Sequence, residues 1–295
     1  MKSFLDVGIL SLTVFAMLSV GLELEIDCFG QLTKRMVVLA VALLMQIILI
    51  PTAGLLVSYE LNLPPTLRSG ILLVTACPVG DMANFFTLIG RGNLAISVAY
   101  NAISCLISPL SMTIVFAGYS RILGKPFAFA APGWRLVLPF FLLITVPMLA
   151  GVGLRFARAP MVGRISRGLR LLCLVGVFAL CAYVIVAKFD QLKADWKFAV
   201  PASALLAMAA MMIGWAMGTV LRMERVDRLA LLISFAVRNV GLAAITIMSR
   251  IEYAVFSTVY FLSEVVLVLG AVVAFGTWKA KGPTGNLEVV GTKSR

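Results

Sequence analysis

Apolar residues run along this chain in blocks of roughly 20 between short polar breaks, the length at which a helix rising ~1.5 Å per residue crosses hydrocarbon. Nine blocks are predicted, over 4–22, 36–58, 67–90, 93–118, 134–156, 167–187, 198–221, 227–249 and 251–277. The expected class is an all-α integral membrane protein with about nine transmembrane helices. The first block carries only Lys2 against Asp6 ahead of it and runs into Glu23, Glu25 and Asp27 without a small-x-small cleavage pattern, so it is expected to be a retained helix. The blocks divide into a first repeat of four helices over 1–118, a connecting loop over 119–133 and a second repeat of five helices over 134–277. The tail, 278–295, is polar, rich in glycine and without periodicity, and reads as disordered.

Two blocks depart from the all-apolar pattern, and each is next to last in its half. In 67–90 the run is Ala76-Cys77-Pro78-Val79-Gly80-Asp81-Met82-Ala83-Asn84; in 227–249 it is Ser234-Phe235-Ala236-Val237-Arg238-Asn239-Val240-Gly241-Leu242. In hydrocarbon a backbone group without a partner costs several kcal/mol, so a Pro-x-Gly interruption survives only where protein or a wet cavity satisfies the freed groups. Paired interruptions of this kind are the sequence mark of a secondary transporter's binding site. Half-helix N-termini suit an anion and bare carbonyls a cation.

A mid-span Asp or Arg costs about 2.5–3.5 kcal/mol on insertion scales, whereas a close pair at an effective dielectric near 20 returns roughly 4 kcal/mol. Asp81 and Arg238 therefore need further solvation, expected from Asn84, Asn239, water or a ligand; the bland alternative is a buried ion pair that only fixes the crossing. Glu264, mid-way along the last block, is read as a candidate proton site or as a helix–helix hydrogen-bond partner.

Composition agrees: 61% of residues are hydrophobic and 13% charged, about half the charged share of a soluble domain. The charge of +12 raises a nucleic-acid partner only to dismiss it, because the basic residues sit between the apolar blocks. Nine Lys and Arg fall with the N-terminus and the breaks near 59–68, 119–135, 188–197 and 250; fifteen fall with the breaks near 23–35, 91, 155–170, 222–228 and the tail. The positive-inside rule then places the N-terminus outside and the C-terminus in the cytoplasm of a cell (inner) membrane. Arg155, Arg158, Arg164, Arg167 and Arg170 form the densest basic stretch, read as topology signal with a lipid-headgroup patch as the alternative. The five cysteines show no metal-ligand spacing, and no cofactor is expected.

At the two interruptions the sequence resembles the bile acid:sodium symporter family of organic anion transporters. Gly21-Leu22-Glu23-Leu24, Gln46 five residues before Pro51, the run from Ala76 to Asn84, Arg91-Gly92-Asn93-Leu94-Ala95-Ile96-Ser97-Val98 and Arg238-Asn239-Val240-Gly241-Leu242 carry the likeness, over most of 10–277. The resemblance implies two inverted repeats whose broken helices cross at the midplane, a core domain facing a panel domain, and a nine-helix variant lacking the family's first helix. It also implies a small organic anion as substrate, with Na+ as the one metal ion in question. Of the family's sodium ligands, Gln46, Asn84 and Ser97 are kept, Ala83 and Asn101 stand for a serine and a threonine, and Asp81 stands for a threonine. Ser234 stands for the glutamate shared by both sodium sites, and Arg238 for a glutamine. A site that has lost a carboxylate and gained a guanidinium suits a hard cation poorly. The expectation is therefore alternating access with Arg238 as a permanent positive charge, by sodium-independent exchange or with a proton on Asp81 or Glu264.

An enzyme is excluded on two grounds: the chain has no histidine, and Gly80-Asp81 has no second mid-span aspartate with which to share a proton. A receptor-like protein that binds without flux is the remaining alternative. Nothing in the sequence bears on oligomeric state.

Overall fold

The computed structural model describes residues 2–24, 26–124, 134–157, 162–239 and 253–280. Its helices are α1 (Lys2–Glu23), α2 (Ile26–Glu60), α3 (Pro65–Ala76), α4 (Met82–Ile89), α5 (Leu94–Leu123), α6 (Trp134–Phe140), α7 (Val146–Phe156), α8 (Val162–Ala187), α9 (Phe189–Val220), α10 (Arg225–Ala236) and α11 (Ala254–Ala280). A π-helical turn, Phe141–Thr145, joins α6 to α7, just before Pro147, whose missing N–H breaks the regular ladder. Among the described residues six helices are long and apolar enough to cross a membrane. α1 and α3–α4 fall on two further predicted blocks and α10 on the first part of 227–249, whose remainder, 240–249, lies outside the described residues.

The helices overrun the predicted blocks. α2 begins at Ile26 and α9 at Phe189, and α5 continues to Leu123, so parts of 23–35, 188–197 and 119–133 expected as loops are helical. Lys, Gln and Asp halt a hydropathy window but not a helix. At ~1.5 Å per residue the 35 residues of α2 reach roughly 50 Å, well beyond a hydrocarbon core of about 30 Å. The last helix likewise runs to Ala280, past the expected start of the tail at 278; residues 281–295 lie outside the described residues.

The two halves repeat one local geometry. Leu61, Asn62 and Leu63 donate their N–H groups to the carbonyls of Val57, Tyr59 and Ser58; Leu221, Arg222 and Met223 donate to Met217, Thr219 and Gly218. Asn62 and Arg222 both take a left-handed conformation, φ 45° and 53°, and the following helix starts at Pro65 and at Arg225. The same register pairs α1 with α8, α2 with α9, α3 with α10 and α5 with α11. The α6–α7 rod has no counterpart in the first half among the described residues.

α1 packs along α7 and α8, the panel; α2 to α5 and α9 to α11 form the core. Where α1 crosses α7 the backbones touch: a Cβ on Gly21 would fall 2.0 Å from the Met148 carbonyl oxygen, and one on Gly151 2.4 Å from that of Leu18. Val37, Val186 and Met212 are 77%, 79% and 71% exposed, as side chains facing lipid should be. Buried apolar residues form two clusters, one taking in α3 as far as Cys77 and the other Val79, α4 and α10. The interrupted segments lie between these layers, deep inside the bundle. Arg35, Asn93 and Asp227 meet at one end, where Asp227 accepts from Asn93 Nδ2 at 2.8 Å and pairs with Arg35.

Candidate functional site at the helix crossing

Both interrupted segments turn extended. α3 ends at Cys77, φ −65° and ψ 152°, α10 at Val237, φ −79° and ψ 113°, and an antiparallel bridge joins Val79 to Arg238. Antiparallel pairing is what inverted repeats require at their crossing. Gly80 N–H donates to the Val237 carbonyl and Asn239 N–H to the Pro78 carbonyl, both at 3.0 Å. A Cβ on Gly80 would stand 2.8 Å from the Arg238 carbonyl oxygen, so glycine is the residue that lets the two chains approach.

The other freed backbone groups find side chains, as a dry interior demands. Val79 N–H donates to Ser104 Oγ at 3.1 Å, and Arg238 N–H donates to Glu264 Oε2 at 3.1 Å. The Tyr260 hydroxyl donates to the Ala236 carbonyl at 2.6 Å, and Asn101 Nδ2 to the Gly80 carbonyl at 3.4 Å. The carbonyls at the end of α3 go to Arg238: its Nη2 donates to Thr75 O at 3.1 Å and to Cys77 O. A buried guanidinium, 4% exposed, thus occupies the negative end of a half-helix, where bare carbonyls favour a cation.

This differs from the expected pairing of Asp81 with Arg238: no ion pair joins the two among the described residues. Asp81 stands at the N-terminus of α4, so the positive end of that half-helix already faces a carboxylate of the chain itself. Asp81, Asn239 and Glu264 line one cavity of about 20 Å³ against Leu12 and Thr13 of α1. Glu264 is fully buried, and its Oε1 has no hydrogen-bond partner among the described residues. Val240, Gly241 and Leu242 lie outside the described residues.

The sodium-site equivalents do not gather. Asn84 Oδ1 accepts from Ser97 Oγ at 2.9 Å and Thr87 Oγ1 donates to Ser97 at 3.2 Å. Gln46 Oε1 accepts from the Tyr100 hydroxyl at 2.6 Å, beside a cavity of about 10 Å³ that Arg238, Ser104 and Ser111 also line. Asn101 bonds the Gly80 carbonyl and Cys105 Sγ, while Ser234 Oγ, buried in α10, has no partner among the described residues. Of the oxygens kept from the expected set, Asn84 Oδ1 and Ser97 Oγ are spent on each other and Gln46 Oε1 on Tyr100, and the carboxylate that reaches them, Glu23, accepts from the Asn84 amide nitrogen. Each of these three side chains already has its oxygen in a hydrogen bond, unlike a preformed shell of six or so oxygens around a hard cation.

Cavities of 10 and 20 Å³ hold about one water, so the crossing has no room for a solute. A space of ligand size, about 400 Å³, opens beyond Asn84 toward the Glu23 end of α1. There Asn84 Nδ2 donates to Glu23 Oε2 at 2.6 Å, tying core to panel, and Arg170 Nη2 pairs with Glu23 Oε1 at 2.7 Å within the panel. In the sequence Glu23 stands only as the polar flank of a span within the stretch Gly21–Leu24, and Arg170 as topology signal or part of a lipid-headgroup patch.

The model of the Sodium Bile acid symporter family matches residues 10–195. The chain is 24% identical over 253 residues to an "Uncharacterized sodium-dependent transporter YocS" of Bacillus subtilis, covering 84% of this chain and 77% of that protein. It is 27% identical over 276 residues to a "Probable sodium/metabolite cotransporter BASS1, chloroplastic" of Arabidopsis thaliana, covering 93% and 67%. A "Sodium/bile acid cotransporter 5" of Mus musculus is 28% identical over 58% of this chain and 40% of its own length.

Proposed function

This chain belongs to the sodium bile acid symporter family, a family of membrane transporters and not enzymes, and on that premise we propose that it carries small organic anions across the membrane by alternating access, with Arg238 as a fixed cation where relatives use a coupling ion. One observation carries the reading: the buried guanidinium of Arg238 closes the carbonyl end of α3, at the position where the family resemblance puts a sodium ligand. A charge that cannot leave serves an exchanger or a facilitator, because it contributes equally on both sides of the cycle and couples flux to no ion gradient.

The panel of α1, α6–α7 and α8 then rocks against the core around the crossing. The charge bias along the chain orients the Glu23 end of α1 toward the cytoplasm, with the N-terminus outside. In the proposed division 1–118 and 134–277 are the two repeats, joined over 119–133, with the tail inside.

Uptake of a labelled carboxylate into proteoliposomes, with sodium replaced by choline, tests the account. Flux should be unchanged within about twofold; a loss of tenfold or more overturns the fixed-charge reading. The double substitution Arg238→Gln with Ser234→Glu should create sodium dependence. A second reading, proton coupling, is favoured by the unpartnered Glu264 Oε1 and by Asp81 lining the same cavity. Flux that follows an imposed pH gradient would select it.

A further inference from the structure

Arg238 lines two cavities at the crossing, and its guanidinium belongs to the smaller one. Thr75 and Cys77 line that space and not the other, and it is to their carbonyls that Nη2 donates. Of a guanidinium's several N–H donors this occupies only those on Nη2; Nε and Nη1 are buried and have no hydrogen-bond partner among the described residues. The two acids nearby do not supply one. Glu264 Oε2 accepts from the backbone N–H of Arg238, Glu264 and Asp81 both line the other cavity, and no ion pair reaches the guanidinium among the described residues. A buried charge is strongly unfavourable unless an acceptor meets it.

The smaller cavity, about 10 Å³, has room for about one water, and its polar lining is rich in donors. Gln46 spends its oxygen on the Tyr100 hydroxyl at 2.6 Å, which leaves its NH2 group to donate. Ser104 Oγ already accepts from the Val79 N–H, so its own O–H remains. Ser111 Oγ donates to the Ser108 carbonyl only at 3.4 Å. The larger, arginine-lined cavity differs: Arg155, Arg167 and Arg170 share it with Glu23, which pairs with Arg170.

We propose that the smaller cavity holds a monatomic anion, chloride in the cell, as the counter-ion of Arg238. The ion accepts from Nε or Nη1 and from the Gln46, Ser104 and Ser111 donors around it. A halide is little larger than a water and accepts from several directions while donating to none, which suits a space whose walls are left with donors. A carboxylate solute is too bulky for it, so the site is separate from the path of any substrate, and the inference goes beyond the carrier reading without depending on it. With the anion in place the guanidinium stays against the carbonyls of α3 as half of an ion pair, not as a bare charge, and the bridge between Val79 and Arg238 is held from the side-chain side as well as by its backbone bonds.

Thermal melting of the purified full chain in neutral detergent tests this, with the protein exchanged into sodium gluconate and titrated with sodium chloride or sodium bromide at constant ionic strength. Either halide should raise the melting temperature by about 5 °C, saturating with concentration as a bound ligand does. Sodium sulfate, whose anion is too large for the cavity, should leave it unchanged. Arg238 also holds the carbonyls of α3, so the site is blocked from its other wall: Ser111→Val fills the space and removes a donor, and should abolish the halide response in a protein that still melts cooperatively in gluconate. Crystals of the parent grown in sodium bromide need no variant; an anomalous peak should stand within hydrogen-bonding reach of Arg238 Nε or Nη1. A melting temperature indifferent to halide, a response equal for sulfate, a response unchanged in Ser111→Val, or an ordered water without a bromide peak in that cavity would each overturn the proposal. Uptake with sodium replaced by choline at constant chloride reads the carrier account alone, so the two stand or fall separately.

Discussion

The crossing and the arginine-lined cavity both hold arginine and glutamate, yet they use them in opposite ways. At the crossing Arg238 and Glu264 are 4% and 0% exposed, and each contacts backbone: carbonyls of α3 for the one, the N–H of Arg238 for the other. At the cavity the Arg170 side chain is 41% exposed and contacts another side chain. Ionised groups spent on backbone ends hold a chain path that hydrocarbon would otherwise forbid. Ionised groups that meet side chains across a water-accessible gap can exchange partners, which binding requires.

Removing Arg238 should therefore have the largest effect. Arg238→Met matches the bulk but strips Thr75 O and Cys77 O of their donor and leaves Glu264 without a nearby cation. Breaking a buried charged network from one side costs about 3–5 kcal/mol, on the order of 10 °C in melting temperature at roughly 2–4 °C per kcal/mol. Thermal unfolding in detergent would read this, and transport should be lost. A variant as stable and active as the parent would show that the crossing does not depend on its internal cation.

Gly80→Ala comes next. The added Cβ meets the Arg238 carbonyl oxygen at 2.8 Å and its carbon at 3.0 Å, backbone atoms that cannot swing aside. Overpacking of this kind costs about 1–3 kcal/mol. The bridge between Val79 and Arg238 should open, reported by faster amide exchange at Gly80 and Asn239. Exchange unchanged from the parent would mean that the two segments have slack.

How far this was legible in the sequence follows the same division. The spans and the broken helices at Pro78-Val79-Gly80 and Arg238-Asn239 were readable, because a bilayer leaves so few ways to satisfy a backbone. Partners were not: a carbonyl such as Thr75 O has no letter of its own, so Arg238 was matched to the nearest acidic residue, Asp81. Helix ends were misjudged at Ile26 and Phe189 since charge ends a hydrophobic window without ending a helix. The link from Asn84 through Glu23 to Arg170 joins residues 61 and 147 positions apart, and only the packing of α1 between α4 and α8 brings them together.

Glu264→Gln sharpens the contrast from inside the crossing. Glutamine keeps an oxygen for the Arg238 N–H, so stability should fall by about 1 kcal/mol, the difference between a charged and a neutral acceptor. Where the parent's uptake follows an imposed proton gradient, uptake in Glu264→Gln should persist but no longer respond to it. If the gradient response survives in Glu264→Gln and vanishes in Asp81→Asn, the proton site is the carboxylate at the head of α4.

Glu23→Gln is the counterpart at the cavity, and its effect on stability should be the smallest. Its partner Arg170 is 41% exposed, where water already solvates the guanidinium and salt screens the pair, so the loss should stay within about 1 kcal/mol. Asn84 Nδ2 can still donate to the glutamine oxygen, which keeps α1 and α4 in contact. Melting curves of Arg238→Met and Glu23→Gln run side by side put the comparison at risk: a shift for Glu23→Gln as large as that for Arg238→Met would mean that the outer ion pair, too, is part of what holds the helices in place. Charge at the cavity would then be structural, and a solute that displaced it would have to supply the same stabilisation itself.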